Sequence, residues 1–376
     1  MEKIYNVGII GFGFIGKVHA YAYQNLKFYY RPVPLKTRLF GVCTGHAETA
    51  RRAKEEFGFE FATDDFRQLV EHPEIDIVNI CSPNIFHRDQ VLATLASGKH
   101  IYCDKPLVCS SVEAEEVEQA LKSYPGIHQC TFHLRFYPAT LKAKDLIDQG
   151  SLGQPISFRI SYYHSGSVDP KKTMGWKQEK EMGGGVLIDL GSHAVDLACF
   201  FLGEMEQVFG FSRILYPERP TKEGKRKVVE AEDLAFINVK MKNGSVGVIE
   251  VSKVATGAQD EVRFEIYGTG GALRFNSMDP NFLEFYDQAD PDEPIGGKAG
   301  FKNLVTVGRY PAPSNAFPGP KFSAGWLRGH IHCLENFLEC IRDNRQARPS
   351  FYDGIYNTRL LDKIRLSEAK SAWIKV

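Results

Sequence analysis

The chain lacks the features that mark several protein classes. It has no excess charge, because its 46 Lys and Arg residues equal its 46 Asp and Glu residues, so it has no net charge to attract nucleic acid or an anionic membrane. No apolar run approaches the roughly 20 residues that a membrane-spanning helix needs, and no signal peptide precedes the first predicted strand. We therefore expect a cytoplasmic protein with no nucleic-acid or membrane partner.

The sequence also lacks closely spaced pairs of cysteines. The eight cysteines form no C-x-x-C pair, and most lie in apolar segments that read as strands or helices. Such cysteines are typical of reduced, buried thiols in a cytosolic protein. We therefore expect no disulfide framework and no metal site.

The length and composition favour two or three globular domains. The chain has 376 residues, of which 43% are hydrophobic and 24% charged, as in an ordinary soluble protein. Up to residue 130, short apolar strands alternate with helical segments of roughly 10–15 residues, which is typical of a doubly wound parallel sheet. Ser110 and Glu113 form a capping-box signature at the start of one helix. The predicted strands are Tyr5–Ile10, Leu39–Cys43, Ile75–Cys81, Ile101–Cys103 and His128–Phe132.

The pattern changes in the second half of the chain. Several strands have hairpin spacing, the clearest pair being joined by Asn243-Gly244, a strong hairpin signal. This predicts an α+β domain over residues 131–376, with a large, mostly antiparallel open sheet. Residues 288–321 hold six prolines and five glycines and read as one long loop.

A glycine pattern follows the first predicted strand. Gly11, Gly13 and Gly16 are spaced as in a dinucleotide-binding turn that opens a helix. In such a turn the first glycine permits the bend, the second lets a pyrophosphate approach, and the third packs helix on strand. The alternative is a glycine turn without a ligand. The candidate cofactor contacts here are Gly11, Phe12, Gly13, Phe14, Ile15 and Gly16.

The end of the second strand lacks the acidic residue that usually binds the adenosine ribose. Thr44 and His46 lie there instead, with Arg51 and Arg52 shortly after. Without a carboxylate to repel a 2′-phosphate, the sequence leans slightly to NADP over NAD. His46 is equally consistent with an ordinary residue at a helix start.

Two further turns follow predicted strands, at the sheet edge where α/β proteins bind ligands. Ser82, Pro83, Asn84 and His87 follow the third strand and are candidate cofactor contacts, or simply a strand-to-helix turn. Asp104-Lys105-Pro106 follows the next strand. A lysine at this edge can donate a hydrogen bond to a reacting oxygen, whereas the same tripeptide elsewhere is usually a solvated turn.

The run from Gly183 to Gly185 precedes Asp189 and His193. If a helix starts at the glycines, these two residues share a face, because they are four positions apart. A carboxylate beside an imidazole is a typical general base and its orienting partner.

Weaker candidates surround the predicted junction of the two domains. His133, Arg135 and Tyr137 alternate there, and Arg135 is either a substrate or cofactor ligand or a salt-bridge partner between domains. His164 is a candidate substrate contact, and Trp176 could form one wall of the cleft and contact the cofactor. Asp196 could orient His193 or cap an element, and we expect His330 and His332 to be structural.

Taken in order, these motifs resemble the Gfo/Idh/MocA family of sugar and cyclitol oxidoreductases, over nearly the whole chain. The matching pieces are the glycine turn with His19, the Ser82–His87 turn, Asp104-Lys105-Pro106, Arg135-Phe-Tyr-Pro138, and the segment from Gly183 to Asp196. The resemblance implies a Rossmann domain and a C-terminal domain whose open sheet mediates homodimers or homotetramers. Two positions depart from the family pattern: Asp104 replaces a Glu, and His133 replaces an Asn.

The resemblance also implies an activity. Lys105, Asp189 and His193 would form the catalytic set, and hydride would pass between NAD(P) and a ring carbinol of a sugar, anhydrosugar or cyclitol. The substrate contacts would be those three residues with Arg135, His133 and His164, and the cofactor contacts would include Asp104 and Lys105. Two alternatives remain: NAD-dependent glycoside hydrolysis through transient oxidation, and a nucleotide sensor without turnover.

Overall fold

The computed structural model describes residues 3–311, 317–323 and 325–376. Contacts between Cα atoms divide the chain into two compact units. The first is built from stretches within residues 1–136, 310–320 and 325–359, and the second from stretches within 137–309, 321–324 and 360–376.

A six-stranded parallel sheet forms the centre of the first unit, in the order β3-β2-β1-β4-β5-β6. This is the predicted doubly wound Rossmann sheet. The strands are β1 (Ile4–Ile10), β2 (Lys36–Cys43), β3 (Phe61–Thr63), β4 (Ile77–Ile80), β5 (His100–Cys103) and β6 (His128–Cys130). The helices between them are α1 (Phe14–Tyr29), α2 (Ala47–Phe57), α3 (Phe66–Glu71), α4 (His87–Ser97) and α5 (Ser111–Leu121).

Two hydrophobic cores cover the two faces of this sheet. Successive strand residues point to opposite faces, so Ile9 of β1 belongs to one core and Ile10 to the other. The first core also includes Phe337 of helix α8 (Trp326–Arg342), and the second includes Phe351 of helix α9 (Phe351–Lys370).

The units therefore differ from the predicted division into residues 1–130 and 131–376. Helix α8 and the first half of α9 come late in the chain but belong to the first unit. The physical reason is burial: Phe337 of α8 is fully buried and packs on the ring of Tyr102 in β5, with ring centroids 5.1 Å apart. Their apolar faces complete the cover of the parallel sheet, which needs both faces buried.

The second unit contains a nine-stranded sheet in the order β16-β15-β14-β13-β7-β12-β11-β8-β17. Its pairs are antiparallel except β7 with β12, as the sequence predicted. Its strands are β7 (Pro155–Tyr163), β8 (Met205–Arg213), β11 (Leu234–Met241), β12 (Val246–Ser252), β13 (Glu261–Gly268), β14 (Gly271–Asn276), β15 (Phe282–Asp287), β16 (Lys302–Val305) and β17 (Ile374–Lys375). A separate two-stranded ribbon pairs β9 (Glu218–Pro220) with β10 (Arg226–Val228).

Two helices, α6 (Pro138–Asp148) and α7 (Ser192–Leu202), pack on one face of the large sheet. Phe201 of α7 contacts Phe264 of β13, with ring centroids 4.8 Å apart. On the other face, apolar side chains such as Phe211, Val246 and Phe282 remain exposed.

The loop predicted over residues 288–321 is not wholly irregular. Strand β16 forms within it and pairs with β15, and Tyr310 is buried in the first unit, where its hydroxyl donates to the Phe136 carbonyl at 3.1 Å. The proline and glycine content hid this short strand. Part of the loop, residues 312–316, lies outside the described residues.

One segment corrects the expectation that no run is long and apolar enough to cross a membrane. Residues Lys180–Leu202 pass that test by length and composition, but 83% of their apolar window is buried inside the described structure. A core helix of a globular protein passes the same test, so the segment is weak evidence for a membrane span.

Candidate active site

The glycine turn between β1 and α1 has the shape that a dinucleotide needs. Gly11 has φ +86°, and a Cβ atom there would lie 2.6 Å from the backbone of Cys81 and Ser82. A Cβ on Gly16 would lie 2.2 Å from the Gly11 carbonyl oxygen, whereas a Cβ on Gly13 would meet no atom within 4 Å. The structure therefore demands glycine at the bend and at the helix contact, and leaves open space at Gly13, where a pyrophosphate approaches the N-terminus of α1.

The two phenylalanines in this turn have different surroundings. Phe12 packs edge-on against Phe57 and Phe59, with centroids 4.9 and 5.3 Å away. Phe14 is 75% exposed and stacks on Trp326 at 5.7 Å. Phe12 therefore stabilises the turn by packing. The side chains of Phe14 and the partly buried Ile15 lie at the start of α1 and remain accessible to solvent.

The end of β2 is built mainly from local hydrogen bonds. The Thr44 hydroxyl contacts the His46 carbonyl oxygen at 3.0 Å and the Thr49 hydroxyl at 2.6 Å, so it shapes the turn into α2. The His46 side chain is exposed at the N-cap position of α2 and makes no capping hydrogen bond.

A cleft of about 440 Å³ lies between α2 and β3, and side chains of both charge signs line it. Arg51 of α2 contributes a cation and Asp64, just after β3, a carboxylate. Asp64 with Asp65 also helps to raise the pKa of nearby Cys43 to about 12, although burial of the thiol is the larger cause. Asp64 therefore brings a carboxylate near Cys43 at the end of β2 from the neighbouring strand, which sequence order did not reveal.

His87 connects the two turns that follow β4 and β5. Its ring is fully buried, with Nδ1 at 2.8 Å from the Pro106 carbonyl oxygen and Nε2 at 3.0 Å from that of Ser82. The His87 side chain therefore positions both turns, and its contact with a cofactor stays a prediction. Around it, the Ser82 hydroxyl donates to Gln90 at 2.7 Å, Asn84 is buried and Pro83 half-buried.

Asp104 and Lys105 follow β5 and are both partly exposed. The Asp104 backbone N–H donates to the Ile80 carbonyl, and its carboxylate accepts a hydrogen bond from the Thr131 hydroxyl at 2.7 Å. Asp104 is therefore tied to the sheet, and the lysine that follows it is held at the carboxyl edge of the parallel strands, as predicted.

A cluster of aromatic rings lies in the same unit as Lys105. His133 stacks on His330 at 3.8 Å between centroids, and Trp326 lies 4.3 Å from His330. Burial, followed by His133, His19 and Lys105, holds the pKa of His330 well below its usual value. The His330 imidazole is therefore neutral near pH 7.

Arg135 forms a buried ion pair. Its guanidinium lies 3.2 Å from the carboxylate of Asp353 in α9. Burial raises the pKa of Asp353, but Arg135 and the hydrogen bonds from Ser350 outweigh that effect and hold it below its usual value. Both partners belong to the first unit, so this is a salt bridge within a unit and not the bridge between domains weighed in the sequence analysis.

Asp189 lies in a π-helical turn, Leu187–Gly191, and helix α7 begins only at Ser192. The sequence predicted that Asp189 and His193 lie four positions apart on one α-helix. In the structure only His193 lies on the α-helix, because Asp189 belongs to the wider π-helical turn that precedes it. The Asp189 carboxylate contacts two lysines: Lys177 at 3.0 Å and Lys253 at 3.1 Å. These contacts were missing from the sequence prediction, because both lysines are distant in the chain.

The turn at Asp189 is fixed from a neighbouring segment. Gly185 has φ +115°, and a Cβ there would lie 2.4 Å from the Glu232 carboxylate. That carboxylate accepts the Leu187 backbone N–H at 3.0 Å, and the Glu232 carbonyl accepts the Val186 N–H at 2.8 Å. The glycine is therefore required so that a buried carboxylate can cap the backbone just before Asp189.

His193 is buried on α7, beside Tyr162 of β7, with ring centroids 5.9 Å apart. The Tyr162 hydroxyl donates to Asp260 at 2.6 Å, and His164 Nε2 lies 2.7 Å from the same carboxylate oxygen. Burial and then Asp260 raise the pKa of Tyr162 well above its usual value. His164, predicted as a substrate contact, is thus engaged by Asp260, and Tyr162 is a neighbour of His193 that the sequence did not single out.

The remaining candidates fall into two groups. Trp176 is partly exposed at the start of a short 3₁₀ turn, Trp176–Gln178, with the Lys177 ammonium 5.7 Å from its ring. Asp196 and Tyr137 are buried. His332 is half-buried, with Nδ1 at 2.8 Å from the Tyr30 hydroxyl, and desolvation lowers its pKa to about 3. In the described residues no group of three or more His, Cys, Asp or Glu is placed to hold a metal ion.

Comparison with known proteins gives two family matches. Residues 5–132 match the NAD-binding Rossmann model of the Gfo/Idh/MocA oxidoreductase family, and residues 144–376 match its C-terminal α/β model. Levoglucosan dehydrogenase from Pseudarthrobacter phenanthrenivorans is 31% identical, over 99% of this chain and 98% of its own length. The NAD⁺-dependent scyllo-inositol 2-dehydrogenase of Bacillus subtilis is 30% identical, over 95% and 92%.

Solved structures agree with these matches. Levoglucosan dehydrogenase in complex with NADH and levoglucosan superposes with a TM-score of 0.95 at 31% identity, covering 100% of this chain and 99% of that one. A complex of the same enzyme with NADH and L-sorbose gives the same values.

Proposed function

Because the chain belongs to the Gfo/Idh/MocA oxidoreductase family, we propose that it is an NAD(P)-dependent dehydrogenase acting on a secondary carbinol of a sugar, anhydrosugar or cyclitol. The observation that carries this is the glycine turn, which needs glycine at Gly11 and Gly16 and leaves Gly13 open. This turn fits a dinucleotide, and Lys105 at the same sheet edge supplies a donor for the reacting oxygen.

For the substrate, we propose an uncharged ring with several hydroxyl groups. Relatives that match nearly the full chain are named for levoglucosan and scyllo-inositol, which are both of this class. Levoglucosan is the first candidate, because levoglucosan dehydrogenase matches 99% of this chain at 31% identity.

The catalytic roles follow the family motif. Lys105 donates a hydrogen bond to the substrate oxygen and stabilises the negative charge that develops on it. His193 accepts the hydroxyl proton as general base, and Asp189 holds His193 or a neighbouring hydroxyl. The hydride-transfer chemistry would be supplied by a bound NAD(P). The glycine turn, Phe14 and the Ser82–Asn84 turn are the proposed cofactor contacts.

We propose that the preference between NAD and NADP is small, within about tenfold in kcat/KM, which corresponds to about 1.4 kcal/mol. The sequence leaned to NADP because no acid ends β2. In the cleft between α2 and β3, however, the cations Arg51 and Lys54 would attract a 2′-phosphate, and the carboxylates of Glu60 and Asp64 would repel it. The attraction and the repulsion offset each other, so we expect similar kcat/KM values with NAD and NADP.

We also propose that the protein is a cytoplasmic homo-oligomer, a dimer or a tetramer. The exposed apolar side chains on one face of the nine-stranded sheet support this, since large exposed apolar patches mark interaction sites.

The test is a turnover screen that follows nicotinamide absorbance with NAD and NADP against levoglucosan, inositols, aldoses and ketoses. We expect one sugar class to be oxidised at a measurable rate with at least one cofactor. Release of a free sugar from glycosides with no net change in absorbance would instead support the hydrolase alternative. Cofactor binding without turnover on any compound would support the sensor.

A further inference from the structure

The Asp189 carboxylate is held by two lysines in different surroundings. Lys253 Nζ lies 3.1 Å and Lys177 Nζ 3.0 Å from Asp189 Oδ2, and the side chains of these lysines are 8% and 49% exposed. Asp189 itself is 16% exposed. All three residues belong to the second unit. We call Lys177 and Lys253 the lysine pair.

Lys253 is anchored at both ends. It follows β12 directly, and its backbone N–H donates to the Asp233 carbonyl at 2.8 Å. Its ammonium also donates to the Gly185 carbonyl at 3.4 Å. A buried ammonium is tolerated only with a charged partner and further hydrogen bonds, and Asp189 and Gly185 provide them. This lysine is therefore a fixed part of the turn that carries Asp189.

Lys177 is attached much more loosely. It lies in the short turn after Trp176, and about half of its side chain is in contact with solvent. Ion pairs this exposed contribute little to stability, because water and salt screen them and ordering the long side chain costs entropy. The Lys177 ammonium can therefore leave the carboxylate at small cost, whereas Lys253 cannot.

Other titratable groups also surround this turn. Tyr162 of β7 is close enough to Asp189 for the carboxylate to contribute to raising its pKa, after burial and Asp260. Glu232 contacts Gly185 and the backbone of Leu187, and His193 follows one turn later on α7. Lys253 is thus the buried cation in a group that otherwise contains acids, a phenol and an imidazole.

We propose that Lys253 is a positioning residue that fixes Asp189 as an oriented carboxylate, and that Lys177 is the partner which a substrate hydroxyl displaces from it. The proposal rests on the proposed dehydrogenase function. An ionised carboxylate accepts several hydrogen bonds and donates none, so it selects hydroxyl-rich neutral substrates. It also rejects phosphorylated or acidic sugars, once Lys177 has moved away.

The experiment compares four variants by the pH profile of kcat/KM on the sugar identified in the turnover screen. Lys253→Met removes the buried charge at nearly constant shape, and Lys253→Arg keeps it. Lys177→Met removes the exposed charge. Lys242→Met is the matched control, since Lys242 pairs with exposed Glu204 in the hairpin after β11.

We expect Lys253→Met to lower kcat by about tenfold or more and to move the acidic limb of the profile up by about 1 pH unit or more. The sign follows from charge: without the cation, Asp189 and His193 take up protons at higher pH. Lys253→Arg should return the limb to its original position. Lys177→Met should lower KM by up to about fivefold, because the substrate no longer competes with an ammonium. Lys242→Met should match the unchanged enzyme.

An acidic limb that stays in place in Lys253→Met, in a variant that keeps its melting temperature, would overturn the role of Lys253. If Lys253→Met does not fold, an unshifted limb in Lys253→Gln would do so. A KM that rises in Lys177→Met would overturn the displacement of Lys177. Failure of the proposed function is a different result, because the unchanged enzyme would then oxidise no polyol.

Discussion

Two glycines of the cofactor turn allow stability and cofactor binding to be separated. Gly13 has φ −77°, and a Cβ there would meet no atom within 4 Å. In Gly13→Ala, the added methyl group therefore causes no clash in the protein, and loss of chain freedom in the unfolded state stabilises it by about 0.4–1 kcal/mol. The methyl group points into the space where the pyrophosphate approaches. We expect a loss of cofactor affinity of about 1.5–3 kcal/mol, or roughly 10- to 150-fold.

Gly16→Ala is the matched comparison. Its Cβ would lie 2.2 Å from the Gly11 carbonyl oxygen, which is backbone and cannot rotate away as a side chain can. Separating these atoms shifts helix α1 from β1, and overpacking of this kind costs about 1–3 kcal/mol. We therefore expect Gly16→Ala to lose both stability and cofactor affinity.

The assays are denaturant unfolding for stability and NADH fluorescence titration for affinity. We expect the change in stability to have opposite signs in the two variants, and NADH binding to weaken in both. Unaltered NADH affinity in Gly13→Ala would refute the placement of the pyrophosphate at this glycine. Equal destabilisation of the two variants would refute the packing argument.

The other predictions concern catalysis, cofactor choice and pH. Lys105→Ala should lower kcat by roughly 10²–10⁴-fold and retain NADH binding. Steady-state kinetics measures kcat and fluorescence titration measures NADH binding, and near-normal turnover would contradict the prediction. Arg51→Ala should lower the ratio of kcat/KM for NADP over NAD, and Asp64→Asn should raise it; parallel shifts would contradict the charge argument. Burial, followed by the charge of Glu339, raises the pKa of Glu335 from 4.5 to about 8. Between these two pH values the Glu335 carboxyl is protonated in the folded state and ionised in the unfolded state. Stability should therefore fall as pH rises through that window, and melting temperatures of Glu335→Gln should show less of this fall.

Local signals in the sequence predicted much of the first unit. The capping box at α5 is an instructive case, because the Ser110 hydroxyl accepts the Glu113 N–H at 3.3 Å as predicted. The Glu113 side chain, however, accepts from the Cys109 backbone N–H at 2.7 Å rather than from that of Ser110. The helix start was thus predictable from nearby residues, while the exact partner depended on the path of the preceding loop.

The position of α8 shows the limit of local signals. No residue near Phe337 in the sequence indicates that its ring packs on Tyr102 in the Rossmann unit. Short strands were missed for a related reason. β3 has three residues and β16 has four, so their formation depends on the strands beside them more than on their own periodicity.

The sequence by itself determined the family, the parallel sheet, the glycine turn and the lysine at the sheet edge. Each rests on residues close together in the chain, where steric rules and short-range periodicity act. Tertiary structure alone decided which charged groups approach their partners: Lys253 and Asp189, Arg135 and Asp353, and Asp64 near Cys43 at the end of β2. Electrostatic interactions depend on distance in space and on burial, and both are set only when distant segments pack together.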